Sequence, residues 1–127
     1  MIVLDTHAWI WAVSDPTKLG KEGRSALRRK APLAVSAISC WELSMLSARG
    51  RIELDRDPVT WMEDSFESLD IELLPLTPAV AVLAAQFKTL HGDPADRIIV
   101  ATALAHGAEL LTRDEKLRAS DVVRTLW

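Results

Sequence analysis

The chain alternates short apolar runs with longer stretches in which apolar positions recur every three or four residues. Positions 2–4, 33–35, 71–74 and 109–111 have strand length and composition, and each is bounded by residues that favour turns or helix starts. Between them the periodicity and the start and stop signals predict helices over 6–13, 21–30, 38–49, 58–69, 79–90 and 95–106. Asp15-Pro16 breaks the first of these, Pro58 and Thr77-Pro78 open later ones, and Gly50 and Gly107 close the third and last. His91-Gly-Asp-Pro predicts a turn, and Val122-Val123 a final edge strand. Short strands alternating with helices of about ten residues predict an α/β fold: a mostly parallel central sheet of about 4–5 short strands with helices on both faces. With no repeat or linker in 127 residues, a single domain spanning 1–127 is expected.

Composition narrows the class of protein. Apolar residues make up 49% and charged residues 26%, enough to bury a core without disulfides or structural metal. No apolar stretch is long enough to cross a bilayer, and the first residues lack the features of an export signal. Cys40 is the one cysteine, read as a small core hydrophobe; a cytoplasmic protein with no membrane association is expected. The net charge of −3 argues against a protein that coats nucleic acid with a basic face. Two divalent cations would add +4 and leave +1, so a bound-metal form is compatible with a phosphate-bearing substrate.

That correction matters because four carboxylates occupy positions where charge is costly. Asp5 ends the run Ile2-Val3-Leu4, and Asp114 follows Leu110-Leu111-Thr112 after one residue, so both are placed at the carboxyl rim of the sheet, where α/β folds bind ligands. Glu42 has Ile38, Trp41, Met45 and Leu46 as helical neighbours, which places it in an apolar stripe. Asp96 heads a face continued by Ile99, Val100 and Ala103. Two readings stand open. Singly, each acid suits a helix cap, a solvated turn or a buried ion pair with Arg97 or Arg113; together, they make an all-oxygen cage for Mg²⁺ or Mn²⁺.

Several segments carry a family resemblance spanning nearly the whole chain. Val3-Leu4-Asp5-Thr6-His7-Ala8, Ser36-Ala-Ile-Ser-Cys-Trp-Glu42, Gly50-Arg51-Ile52-Glu53-Leu54, His91-Gly-Asp-Pro-Ala-Asp-Arg97 and Leu111-Thr112-Arg113-Asp114 together resemble PIN-domain ribonucleases, specifically VapC-type toxins of toxin–antitoxin pairs. The resemblance implies that Asp5, Glu42, Asp96 and Asp114 are the catalytic, metal-binding acids, the same four selected by the burial argument. It implies that Thr6 and Thr112 support them by holding a carboxylate or a metal water. It further implies a homodimer, and an antitoxin whose tail blocks the acidic site. Leu46 and Ala95 depart from the lysine and phenylalanine that related sequences often carry there.

The expected activity is metal-dependent endoribonuclease cleavage, with metal-activated water attacking a phosphodiester. Arg97 and Arg113, flanking two of the acids, are candidate contacts to substrate phosphates. Asp93 is a weaker candidate for the acidic site, since Asp-Pro favours a turn without any catalytic role, and His7 and His91 are read as turn or packing residues. His106, beside Gly107, is read as satisfying a helix C-terminus. Arg24, Arg28, Arg29 and Lys30 form a basic face, read as solvated surface. A haloacid-dehalogenase-type phosphatase would need an acid at position 7, where His stands, and a response-regulator receiver would need paired early acids and a late lysine. A catalytically inactive PIN-like module that binds RNA or protein remains the alternative.

Overall fold

The computed structural model describes residues 1–87 and 93–127. Five strands, β1 (Ile2–Leu4), β2 (Leu33–Ser36), β3 (Ile71–Leu74), β4 (Glu109–Leu111) and β5 (Thr125–Leu126), form one sheet in the order β3-β2-β1-β4-β5. Every neighbouring pair is parallel. The helices among the described residues are α1 (Thr6–Ser14), α2 (Lys21–Arg28), α3 (Ala37–Ala48), α4 (Pro58–Ser68), α5 (Pro78–Ala85), α6 (Pro94–Ala105) and α7 (Glu115–Ala119), with a 3₁₀ turn at Pro16–Lys18.

Strand alternation divides the core into two layers. Ile2, Leu4, Leu33 and Val35 pack on one face with Trp9 of α1, Leu43 of α3 and Trp61 of α4. Val3, Ala34 and Leu110 pack on the other with Ile99, Val100 and Ala103 of α6. The central strands are therefore apolar at every position but Ser36 and Glu109 at their ends, as a sheet covered on both sides requires. Trp9 anchors its layer: its indole stacks on Phe66 with centroids 5.5 Å apart, meets Trp61 edge-on, and donates to the Ser65 hydroxyl at 2.9 Å.

Local signals explain most boundaries. Ser36, Asp57 and Thr77 cap α3, α4 and α5 through their side chains, while Gly50 and Gly107 take the left-handed conformation after α3 and α6, at φ 69° and 59°. The expected helix 79–90 is shorter in the structure, where α5 ends at Ala85 with Gln86 as its cap and Phe87 is not helical; positions 88–90 and the turn residues His91 and Gly92 lie outside the described residues.

Two expectations near the end of the chain need correction. The last strand is Thr125–Leu126, not Val122-Val123, because pairing is set by register with Leu110 and Leu111, while Val123 turns inward to pack beside Leu110 and Leu117. Helix α7 was not expected. Five residues with only Leu117 buried are too short to show periodicity.

The order of strands matters for function. After β1 the chain moves to β2 on one side, and after β4 it moves to β5 on the other. The divergence opens a crevice beyond the carboxyl ends of β1 and β4.

Candidate metal centre and active site

Asp5 follows β1 directly and caps α1, with one carboxylate oxygen accepting the Ala8 N–H at 2.8 Å and the other the Thr112 hydroxyl at 2.5 Å. Asp114, two residues after Thr112, caps α7 by accepting the Lys116 and Leu117 N–H groups at 2.8 and 3.4 Å. Asp93 caps α6, accepting the Ala95 N–H at 3.0 Å. Capping and cleft placement are therefore not rival explanations for these acids. Each of the three helices starts at the sheet's carboxyl rim, so its cap carboxylate is delivered into the crevice, and the positive helix end offsets part of the charge there.

Glu42 comes from α3 and Asp96 from the first turn of α6. The Thr6 hydroxyl donates to Glu42 Oε1 at 2.5 Å and lies 3.0 Å from the Ser39 hydroxyl. Both acids are half-buried. The apolar stripe expected around Glu42 is observed in part: Met45 and Leu46 are half-buried, but Trp41 is 56% exposed, and the fully buried positions of α3 are Ser39 and Leu43. Glu42 thus sits at the margin of the core, where it can reach the cleft.

Asp5, Glu42, Asp93, Asp96 and Asp114 all line one cleft of about 330 Å³, whose wall is completed by Thr6, His7, Trp11 and Arg113. Glu42, Asp93 and Asp96 each place a carboxylate oxygen within 4.8 Å of the others. Asp93 was underweighted in the sequence, where Asp-Pro reads as a turn; the available signal was its position three residues before Asp96, which puts both on one helical face. Trp11 was also missed as a cleft residue. It shares a face with His7 at i and i+4.

Crowded, partly dehydrated carboxylates resist ionisation. Burial pushes the Asp96 carboxyl up to about 7, reinforced by the charges of Glu42, Asp93, Asp114 and Asp5. Burial likewise raises Glu42 despite the Thr6 hydrogen bond, with Asp93 and Asp5 adding to the effect. Asp5 is raised by burial, against the opposing pull of Thr112, Ala8 and His7. Among the described residues no lysine or arginine forms an ion pair with any of the five acids. Arg97 is half-buried on α6 and does not line the cleft. Arg113 does line it, but its guanidinium lies over the Trp11 ring, 4.6 Å from the centroid. The buried ion pair considered from sequence is therefore not what these arginines form.

The donor set is all oxygen, is ion-paired to no lysine or arginine among the described residues, and is closely spaced at Glu42, Asp93 and Asp96, which fits a hard divalent cation. Cys40, half-buried and with its thiol raised by burial, has the opposite of an activated nucleophile's environment. His106 accounts for itself locally, with Nδ1 3.0 Å from the Thr102 carbonyl oxygen at the end of α6.

The model of the PIN domain family matches residues 2–122. The chain belongs to the PIN-domain family. It is 36% identical over 129 aligned residues to Ribonuclease VapC22 of Mycobacterium tuberculosis (strain ATCC 25618 / H37Rv), covering 99% of this chain and 98% of that protein. Two solved structures share the PIN fold. VapBC2 from Rickettsia felis, bound to a DNA fragment from its promoter, superposes with a TM-score of 0.73 at 19% identity, over 99% of this chain and 98% of that one. DNA-bound VapBC from Salmonella typhimurium gives 0.71 at 18% identity, over 98% and 96%. Where this PIN domain carries Leu46 and Ala95, the side chains serve packing: Leu46 lies against the core and Ala95 is buried at the start of α6. No helix among the described residues is long and apolar enough to cross a membrane.

Proposed function

We propose that this protein is a divalent-metal-dependent endoribonuclease, the toxin of a type II toxin–antitoxin pair acting in the cytoplasm as one 1–127 domain. The observation that carries the reading is the convergence of five carboxylates from distant parts of the chain on one cleft, with none of them ion-paired to a lysine or arginine among the described residues. The 36% identity to a VapC ribonuclease over nearly the full length supports RNA as substrate. Asp5, Glu42, Asp96 and Asp114, with Asp93 added, would hold Mg²⁺ or Mn²⁺. Such a cation supplies Lewis acidity that lowers the pKa of water and offsets charge developing on a phosphodiester.

The chain's own contribution is positioning and proton control. Thr112 and the Ala8 N–H hold Asp5, and Thr6 holds Glu42, so each carboxylate presents a fixed orientation. Asp96 carries a proton through much of the range below pH 7 and must release it to act as a ligand. Water adds to phosphorus, the P–O3′ bond breaks, and a proton passes to O3′, giving a 5′-phosphate and a 3′-hydroxyl. An antitoxin covering this cleft would silence the enzyme, and a homodimer is the proposed assembly.

The test is incubation of purified, partner-free protein with cellular RNA, with Mg²⁺, Mn²⁺ or EDTA, followed by mapping of new ends. Metal-stimulated scission is expected, and Asp5→Asn should abolish it while the protein stays folded. Binding of RNA without scission would instead favour the inactive module.

A further inference from the structure

Charge is spread unevenly along this chain. Residues 18–30 hold six of the fifteen lysines and arginines but one of the eighteen acids, so a net charge of −3 conceals a cationic segment on an otherwise acidic protein. The fold lays that segment on the surface. Lys18, Lys21, Arg24, Arg28, Arg29 and Lys30 are all exposed, while Gly23 and Ala26 of α2 are buried. Lys21, Arg24 and Arg28, at i, i+3 and i+7, form one stripe. None of the six cations is ion-paired among the described residues. Glu22, the one acid, turns back to accept the Trp127 N–H at 3.5 Å.

The stripe starts beside the acidic cleft. The carbonyl oxygen of Trp127, the residue after β5, accepts the Glu22 and Gly23 N–H groups at 2.8 and 3.1 Å and so ties the start of α2 to the sheet's carboxyl rim. Trp127 in turn meets Trp11 edge-on with centroids 5.9 Å apart, and Trp11 lines the cleft beneath the Arg113 guanidinium, which lies 4.6 Å from its ring centroid. From that rim α2 leads away for about 12 Å.

We propose that the exposed basic face of α2 is a phosphate track that carries the RNA flanking the reacting phosphodiester out of the cleft. The inference rests on the nuclease reading above and adds a second contact region to it. A cation held by the acids offsets charge at the reacting phosphate. Phosphates further along the strand extend past that cation, and Arg113 followed by the α2 stripe supplies positive charge on the wall built from Trp11 and Trp127. The face suits a nucleic-acid backbone better than a protein partner. Its exposed positions, Lys21, Glu22, Arg24 and Arg28, include no apolar residue to form the dehydrated centre of a protein interface, whereas unpaired cations are what displaces the counterions of a polyanion. Contacts to phosphate carry no sequence information, so the track gives affinity without base preference.

The test uses fluorescein-labelled RNAs of about fifteen and about four nucleotides, long enough and too short to reach α2 from the cleft. Binding is read by fluorescence anisotropy at fixed Mg²⁺ and rising KCl, in an Asp5→Asn background with probe integrity checked on a gel. The triple change Lys21→Gln, Arg28→Gln and Arg29→Gln should make the log–log salt slope for the long probe shallower by about 2, so that roughly 20-fold less affinity is lost between about 50 and 200 mM. Short-probe binding should stay as in the parent. Arg24 is left in place because its guanidinium donates to the Leu19 carbonyl oxygen at 3.1 Å. The charge-conserving triple Lys21→Arg, Arg28→Lys and Arg29→Lys should keep the full slope.

An unchanged long-probe slope in the neutral triple overturns the track, as does an equal loss for the short probe, which would mean a general field effect or a disturbed cleft. Loss of poly-glutamate binding with RNA binding intact would assign the face to an acidic protein and overturn it as well. RNA scission by protein with Asp5 intact separates the two claims. Scission with an unaltered slope overturns the track alone, whereas a shallower slope without scission by any preparation overturns the nuclease reading alone.

Discussion

Replacing Asp96 by Asn should make the metal-free protein more stable at pH 8 while destroying its response to metal. Asp96 has an ordinary carboxyl value of 3.8 and is held at about 7 in the fold. At about 1.36 kcal/mol per tenfold change in proton affinity, ionised Asp96 opposes folding by at most ~4 kcal/mol. The side chain is half-buried in an open cleft, and solvent screening reduces this to ~1–2 kcal/mol. A carboxyl raised on folding binds its proton more tightly in the folded chain. Its stabilising contribution is therefore whole below about 3.8 and is lost as pH rises through 7. Thermal unfolding in EDTA should accordingly show the wild type losing stability between pH 5 and 8. Asp96→Asn, neutral and similar in shape, should melt about 4–8 °C higher than wild type at pH 8. Its pH slope should be shallower but not flat, since Asp5 and Glu42 are raised as well. Added Mg²⁺ should stabilise the wild type and do much less for the variant. A variant that melts lower than wild type at pH 8, or keeps the full slope, would refute the idea that like-charge crowding in the cleft opposes folding.

The same titration predicts that Mg²⁺ affinity, followed by calorimetry, rises with pH and levels off above about 7, because protons and metal compete for Asp96; affinity independent of pH between 5 and 8 would contradict it. Thr112→Val removes the hydroxyl held by Asp5, and should raise the Asp5 carboxyl further, weaken metal binding, and cost ~1–3 kcal/mol in denaturant unfolding; unchanged stability and affinity would exclude that bond as a support. Trp9→Ala should cost ~3–5 kcal/mol by the same measurement, since it empties a fully buried indole site bounded by Trp61 and Phe66. Gly20→Ala would place its Cβ 2.5 Å from the Trp127 carbonyl carbon, so melting should show clear destabilisation; a neutral result would mean the final strand shifts freely.

Much of the fold was readable because local signals and tertiary demands agree. The runs 2–4, 33–35, 71–74 and 109–111 are apolar at most positions because both faces of a parallel sheet are covered. Helix starts were marked by Pro58 and Thr77-Pro78 and ends by Gly50 and Gly107, residues whose backbone and side-chain chemistry fits those positions wherever they occur. Likewise, the four acids could be singled out because ionised groups next to apolar runs need compensation in any fold.

What the sequence by itself determined, then, is most of the elements, the burial of the strands and the presence of acids whose charge needs compensation. Tertiary structure decided which of them meet. Asp93 joined Glu42 and Asp96 because α6 starts at the crevice, a fact that Asp-Pro as a local turn signal does not contain. The final strand fell at Thr125–Leu126 because hydrogen-bond register with β4 overrode the higher apolarity of Val122-Val123. Arg97 and Arg113 are equally close to acids along the chain, yet Arg113 alone lines the cleft, held by an indole 102 residues away in sequence. Local rules act over a few residues, whereas pairing register, crevice position and ring stacking depend on contacts whose partners are chosen by the packing of the whole chain.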